Sequence, residues 1–249
     1  MTASAREQSD LVAARRRGLL SAVAEFLVEP IEPRTPVDAR AERHWTDAPR
    51  PTVAVTGLAS RCGTTTVARA LAAELALRDS EGAAIVSADA IAGGGIPLGT
   101  PAAGRLGRAV QRSLPSQTRA VGRLCLAAAG PDVAGLVDAA RDLAPLVLDV
   151  TDSRDAAAAA SLVDTVVLVG SPAVEPALAA VLSDSLSRVG PEPVVVLNRD
   201  RGEERWDGRC ALRLPEARMG GQLALAGREA RGELGKAVAK LADLLAVAP

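Results

Sequence analysis

Residues 52–66 read TVAVTGLASRCGTTT, and this stretch decides the fold. It begins with a short β-branched run that ends at Thr56, and a turn bounded by Gly57 and Gly63 leads into an alanine- and leucine-rich segment. β-Branched residues favour a strand, whereas apolar residues at three- and four-residue spacing favour a helix. The stretch therefore predicts a strand, a tight turn and a helix over 64–77. Backbone N–H groups at such a helix N-terminus can bind a phosphate.

Strands and helices are predicted to alternate over the rest of the chain. The further strands are predicted at 83–88, 123–128, 145–149, 165–169, 193–197 and 210–214. The further helices are predicted at 105–114, 132–143, 156–162, 175–189 and 228–247. The strands are continuous apolar runs, which is typical of a parallel sheet covered by helices on both faces. We therefore predict a three-layer α/β fold with a doubly wound, mostly parallel sheet.

The N-terminal segment has a different pattern. Apolar residues at helical spacing over 9–28 predict a helix, and Pro30, Pro33 and Pro36 mark the following residues as a linker. We accordingly predict an N-terminal helical extension with a proline-containing linker over 1–50 and one α/β domain over 51–249. The helix carries three consecutive arginines, at 15–17. Either it docks on the main domain with a solvated basic face, or it contacts a membrane surface or a partner.

Composition limits the classes of function. Hydrophobic residues make up 48% of the 249 residues, which is enough for a large core, but aromatic residues make up only 1% and the net charge is −1. Few aromatic side chains and no global positive charge argue against nucleic acid as a dominant partner. Three cysteines without a CxxC pair argue against a disulfide framework or a zinc site. No apolar run reaches the ~18 residues that span a bilayer, so we predict a cytoplasmic protein.

The turn between the first strand and helix lies where a P-loop belongs. A P-loop needs glycines for close backbone approach, a lysine for the β- and γ-phosphates, and a serine or threonine hydroxyl for Mg²⁺. Gly63 and Thr65 occupy their expected places. Thr64, however, stands where the lysine belongs, and Gly57 precedes Gly63 by six residues instead of five.

The wider sequence resembles the ParA/MinD family of P-loop ATPases, including the pilus-assembly ATPases related to CpaE and TadZ. In that family a glycine-rich turn ends in Gly-Lys-Thr-Thr and continues into an Ala/Leu helix, similar to residues 53–76 here. Five further segments resemble family segments in the same order, and the likeness covers about 51–247. They are the strand ending Ser87-Ala88-Asp89, the Walker B strand at 146–149, and the segments 166–172, 194–198 and 214–216.

The resemblance implies a nucleotide site at the carboxyl edge of the sheet. It assigns the phosphate-binding loop to Gly57, Ser60, Arg61, Cys62, Gly63, Thr64, Thr65 and Thr66. It further implies that Asn198 contacts the base, that Thr65 and Asp149 bind Mg²⁺, and that Asp89 positions the catalytic water. The simpler interpretations are that both aspartates are caps or turn residues, that Asn198 forms an Asx-type turn, and that Cys62 is inert.

The departures from the family pattern concern its lysines. The loop lysine is replaced by Thr64, and the signature lysine that reaches across the dimer aligns with Ala59. Lysine is rare in this chain and occurs only at 236 and 240. A genome that favours arginine over lysine does not explain Thr64 and Ala59, because it would place arginine at those two positions. Each lost charge-assisted phosphate contact costs about 1.5–3 kcal/mol. We therefore expect weak binding of ATP or ADP with Mg²⁺, and slow or absent hydrolysis.

Three functions remain open. The first is a ParA/MinD-like positioning or scaffold protein, homodimeric, that serves a pilus, secretion, division or segregation apparatus and is cytoplasmic or peripheral to the membrane. The second is an active ATPase in which another cation, such as Arg61, replaces the loop lysine. The third is an ATP-dependent ligase similar to dethiobiotin synthetase. Because such ligases need the loop lysine, the sequence favours the first function.

Overall fold

The computed structural model describes residues 50–87, 100–101, 104–113, 118–128 and 133–247. All of them belong to the second of two compact units in the chain, His44–Pro249. The predicted helix over 9–28, its linker and Asp89 lie outside the described residues. The proposed boundary at residue 50 therefore stays a prediction.

The described residues contain nine strands and seven α-helices. The strands are β1 (Thr52–Gly57), β2 (Ala83–Ser87), β3 (Thr100–Pro101), β4 (Thr118–Val121), β5 (Leu124–Ala128), β6 (Leu146–Val150), β7 (Thr165–Gly170), β8 (Val194–Asp200) and β9 (Leu212–Pro215). The helices are α1 (Thr64–Arg78), α2 (Gly104–Ser113), α3 (Val133–Arg141), α4 (Ser153–Ala160), α5 (Ala177–Leu186), α6 (Arg218–Leu225) and α7 (Gly232–Val247). The predicted doubly wound α/β fold is confirmed.

One sheet runs through the centre of the domain. Its strand order is β3-β4-β5-β2-β6-β1-β7-β8-β9. The seven strands from β5 to β9 in this order pair in parallel, while β4 and β3 add an antiparallel edge. In an open parallel sheet, ligands bind outside the carboxyl ends of the strands. Strand β1 lies between β6 and β7, so its carboxyl end and the turn that follows it lie at the middle of this edge.

Helices cover both faces of the sheet. Helices α1, α6 and α7 pack on one face around Leu71 and Leu241, and α2, α3 and α4 pack on the other around Leu136 and Leu146. Helix α1 is buried over most of its circumference between the sheet and α6 and α7, and its alanines allow close packing on both sides. The first turn of α1 is thus anchored firmly at the carboxyl edge of the sheet.

The structure differs from the predicted elements at two places. The antiparallel edge formed by β3 and β4 was not predicted, because these strands have two and four residues. The predicted closing helix is present as α7 but begins at Gly232 instead of residue 228, and helix α6 before it was not predicted. Among the described helices, none is both long and apolar enough to cross a membrane.

Candidate functional site

The turn between β1 and α1 closes tightly on itself. The Leu58 N–H donates to the Val169 carbonyl of β7 at 2.9 Å, which fixes the start of the turn. A Cβ atom added to Gly57 would lie 2.5 Å from Thr64 Oγ1, closer than two such atoms approach. The absence of a side chain at Gly57 therefore lets the Thr64 hydroxyl fold back against the beginning of the turn.

Gly63 forms the N-cap of α1 in a conformation that favours glycine. Its φ is 84° and its ψ is 26°, in the left-handed region, and no side chain caps the helix. The Asn198 amide donates from Nδ2 to the Cys62 carbonyl at 2.9 Å, and a Cβ atom at Gly63 would overlap Nδ2. Asn198 thus fastens the end of β8 to the turn, immediately beside the uncapped N–H groups of the first helical turn.

The side chains of the turn divide into exposed and buried groups. Ala59, Ser60 and Arg61 are exposed, whereas Cys62 is buried, with Sγ 3.8 Å from the Ser171 hydroxyl. Thr64 is only 8% exposed. The three exposed positions are the ones that a ligand arriving from solvent meets first.

A buried carboxylate lies on the other side of the α1 N-terminus. Asp149, near the end of β6, is only 1% exposed. Its Oδ1 accepts a hydrogen bond from the Thr65 hydroxyl at 3.3 Å, and its Oδ2 accepts one from the Ser87 hydroxyl at 2.8 Å. The carboxylate therefore links α1 to the carboxyl ends of β6 and β2.

A buried arginine on α1 completes this charged region. Arg69 follows Thr65 by one helical turn and is 3% exposed, and its Nη1 donates to the Leu225 carbonyl at 2.5 Å. Burial lowers the pKa of Arg69, while the negative charge of Asp149 acts in the opposite direction. Asp149 thus supplies negative charge that offsets part of the cost of burying Arg69.

The arrangement fits Mg²⁺ better than it fits the phosphates. A threonine hydroxyl and a carboxylate at 3.3 Å are oxygen donors of the kind that Mg²⁺ prefers, directly or through retained water. For an anion, the turn offers uncapped backbone N–H groups and the positive end of the α1 dipole. The side chain at position 64, however, is a neutral hydroxyl against Gly57.

Most of the predicted site residues meet at one edge of the sheet. The turn from Gly57 to Thr65 lies there with Asp149 and Asn198, whereas Asp89 is outside the described residues. The methyl group of Thr66 faces helix α6, 3.6 Å from where a Cβ of Gly221 would lie. Asn198 has a loop carbonyl as its described partner, so its contact with a base stays a prediction.

Two contributors to this region were not predicted as site residues. Ser87 was noted only as part of a strand ending, and its bond to Asp149 depends on the adjacency of β2 and β6. Arg69 is a charged residue within the otherwise apolar segment 67–73, and that was the sequence signal for it. A charge on a helix that is buried on nearly all sides requires a specific partner.

Comparisons with known proteins bear on the fold. Protein-family models give no match, and curated proteins give no significant one. Among solved structures, a ParA family ATPase from Chlorobium tepidum superposes with a TM-score of 0.60 at 14% identity, over 78% of this chain and 98% of that one. The MinC:MinD cell division complex from Aquifex aeolicus superposes with a TM-score of 0.56 at 14% identity, over 78% of this chain and 95% of that one. The septum site-determining protein MinD with Mg-ADP from Pyrococcus horikoshii superposes with a TM-score of 0.55 at 16% identity, over 79% of this chain and 95% of that one.

The central parallel sheet and the turn from β1 into α1 define the class as a P-loop-type α/β fold. Within that class, the fold is the one that ParA and MinD ATPases share. The predicted resemblance is confirmed at the level of the fold. Identities of 14 to 16% do not extend the likeness to activity.

Proposed function

We propose that this protein is a ParA/MinD-like positioning or scaffold protein that binds ATP or ADP weakly and hydrolyses ATP slowly or not at all. The observation that carries the proposal is the environment of Thr64. Its short neutral side chain lies against Gly57, where a working P-loop has the ammonium group that reaches the β- and γ-phosphates. Without that charge, the phosphates lose a contact worth about 1.5–3 kcal/mol.

Some binding is expected from the groups that remain. Backbone N–H groups and the helix dipole at Gly63 suit an anion, and the Thr65 hydroxyl and Asp149 suit Mg²⁺. When bound, Mg²⁺ neutralises part of the charge on the phosphates. We also propose that Asn198, whose amide donates to the turn, contacts the base. These contacts support ground-state binding of ADP or ATP.

Hydrolysis is expected to suffer more than binding. In phosphoryl transfer the charge shifts towards the leaving group, and a cation fixed in the loop stabilises that shift. Thr64 supplies no such charge, and Ala59 is an exposed apolar residue where the family's cross-dimer lysine aligns. We further propose that Asp89 positions water in whatever turnover remains.

The partners are proposed from the resemblance and from the structural neighbours. We propose a homodimer that acts with a protein partner in a pilus, secretion, division or segregation apparatus, in keeping with the structural neighbour that is a MinC:MinD cell division complex. We also propose that the protein is cytoplasmic and associates peripherally with a membrane surface through residues 9–28. Nucleic acid is not proposed as the dominant partner, because the chain has a net charge of −1.

The second candidate is an active ATPase with a substitute cation. Its support is Arg61, which is exposed within the turn and has a positive φ of 65°. A guanidinium binds phosphate through a planar fork and differs in shape from an ammonium group. For this reason we rank it second.

The test combines ATP and ADP calorimetry in Mg²⁺ with single-turnover hydrolysis, using the full chain. We expect weak binding and little or no turnover. Tight ATP binding with measurable turnover would overturn the scaffold proposal in favour of the second candidate, and an Arg61→Gln variant that lost the turnover would assign the cation. Light scattering under the same conditions distinguishes a dimer that forms without nucleotide, as expected for a scaffold, from one that requires ATP.

A further inference from the structure

Arg199 lies beside the N-terminus of α1. Its Nε is 3.9 Å from the position that a Cβ of Gly63 would occupy, so the guanidinium group borders the turn. The Arg199 side chain is exposed and has no hydrogen-bond or ion-pair partner among the described residues. By contrast, the nearby Arg201 pairs with Glu216, and Arg213 pairs with Asp200. Among these arginines of β8, β9 and the segment between them, Arg199 is thus the one whose charge is available to a ligand.

A bulge in β8 aims Arg199 at the turn. Asn198 pairs with Leu214 and Asp200 with Pro215, so the residue between them has no partner on β9. Arg199 has a φ of 58°, a left-handed conformation that arginine rarely adopts. Successive side chains of a regular strand point to opposite faces, but here those of Asn198 and Arg199 both approach Gly63. The irregularity therefore brings a second polar side chain to the same point.

Asn198, the neighbour of Arg199, is held against the same turn. The residue is 5% exposed, and its amide nitrogen is used by the Cys62 carbonyl. The turn therefore holds the Asn198 side chain in place, and the side chain at this point that can offer a charge to a ligand is that of Arg199.

Arg61 provides a second unpaired cation on the same turn. Apart from glycines, Arg61 and Arg199 are the described residues with positive φ, and both adjoin the Cys62–Gly63 segment. Arg61 is exposed and has no described partner either. Two guanidinium groups that meet no carboxylate, next to uncapped helix N–H groups, suit an anion with several oxygen atoms.

We propose that Arg199, assisted by Arg61, binds the diphosphate group of the nucleotide in place of the missing loop lysine. This inference rests on the proposed nucleotide binding and adds to it the residue that determines affinity for phosphate. The guanidinium fork binds two phosphate oxygens from the side of β8, whereas the absent lysine would have approached over the turn. Arg199 therefore contributes to affinity for ADP and not to affinity for adenosine.

The test measures binding of ADP, adenosine and inorganic pyrophosphate to the full chain and to Arg199→Gln. We expect affinity for ADP and pyrophosphate to fall roughly tenfold or more, as for loss of a charge-assisted bond, while adenosine binding stays the same. The matched control is Arg188→Gln. Arg188 is also exposed and without a described partner, but it follows α5 at the opposite edge of the sheet.

An Arg199→Gly variant separates binding from folding. Glycine adopts the left-handed conformation at this position more readily than arginine does. The thermal unfolding midpoint of Arg199→Gly should therefore equal or exceed that of the wild type, while its affinity for ADP falls. Unchanged ADP affinity in both variants, or an equal loss for adenosine, would overturn the role of Arg199 and leave the proposed function standing. If the wild type binds neither ADP, ATP nor pyrophosphate, both proposals are wrong.

Discussion

The two sides of the α1 N-terminus differ in how far the fold depends on them. On the carboxylate side, Asp149, Thr65, Ser87 and Arg69 form a region in which both charged groups are buried. On the turn side, Ala59, Ser60 and Arg61 are exposed, with no described side-chain contact that the core needs. The contacts of the carboxylate side contribute to the stability of the fold, whereas the exposed side chains of the turn side do not.

This difference teaches how much a motif residue says about activity. Replacing Asp149 would leave the Thr65 and Ser87 hydroxyl groups without this acceptor and the buried Arg69 without a nearby negative charge, so folding alone is sufficient reason for its presence. A lysine on the exposed turn would serve a ligand and not the core. Thr64 and Ala59 therefore carry more information about function than Asp149 does.

The largest expected effect is on the carboxylate side. Asp149→Ala removes the carboxylate that accepts hydrogen bonds from the Thr65 and Ser87 hydroxyl groups, and with it the negative charge near Arg69. We therefore expect the free energy of unfolding to fall by about 3–5 kcal/mol. Asp149→Asn keeps an acceptor but loses the charge, so its loss should be smaller. Urea unfolding followed by circular dichroism measures both variants.

Asp184→Ala is the matched control for this change. Asp184 is exposed on α5 and has no described partner, so the change should stay within about 0.5 kcal/mol. If Asp149→Ala were no more destabilising than Asp184→Ala, the Asp149 carboxylate would not stabilise the fold. The two sides of the α1 N-terminus would then not differ in how far the fold depends on them.

The second effect concerns the junction of the two sides at Gly63. Gly63→Ala forces alanine to a φ of 84° and displaces the Asn198 amide from the Cys62 carbonyl. We expect a loss of about 2–3 kcal/mol, from a left-handed residue at 1–2 kcal/mol and a hydrogen bond at roughly 1 kcal/mol. Thermal or urea unfolding measures the loss.

Gly202→Ala isolates the backbone part of that loss. Gly202 has a φ of 92°, but a Cβ atom there would meet nothing within 4 Å. Its loss should be limited to about 1–2 kcal/mol for the left-handed residue. Equal losses at Gly63 and Gly202 would show that the Asn198 contact adds no stability to the turn.

The fold was predictable because its signals are local. Each parallel strand is a continuous apolar run, and α1 shows its alanine and leucine spacing directly after the turn. What could not be predicted depends on pairing between distant segments. The edge strands β3 and β4 are too short to leave a pattern, and the bulge at Arg199 exists only against β9.

The candidate site was predictable as a set of residues but not as a set of contacts. The turn and Asp149 follow from strand endings that meet at one edge. That Thr65 and Ser87 share Asp149, and that Asn198 donates to Cys62, depends on side-chain directions across 62 to 136 positions of sequence. No periodicity encodes such distances.

The smallest expected effect tests the turn side by restoring its charge. Thr64→Lys, alone and with Ala59→Lys, should raise ATP affinity roughly tenfold per productive contact, or about 1.4 kcal/mol. Because Ala59 is exposed, Ala59→Lys should leave the free energy of unfolding without nucleotide nearly unchanged, whereas Thr64 is buried against Gly57 and a lysine there should lower it. Calorimetry with Mg-ATP measures the gain, and Ser185→Lys on the exposed part of α5 controls for net charge.

This last prediction distinguishes a turn that lacks only the lysine charge from a turn whose backbone no longer forms a phosphate site. A gain in affinity at Thr64→Lys but not at Ser185→Lys would show that the backbone of the turn still presents its N–H groups to phosphate. The weakness of the wild type would then reside in one side chain. No gain would instead mean that the extra residue between Gly57 and Gly63 has altered the path of the backbone itself. The turn would then differ from a P-loop in shape as well as in charge.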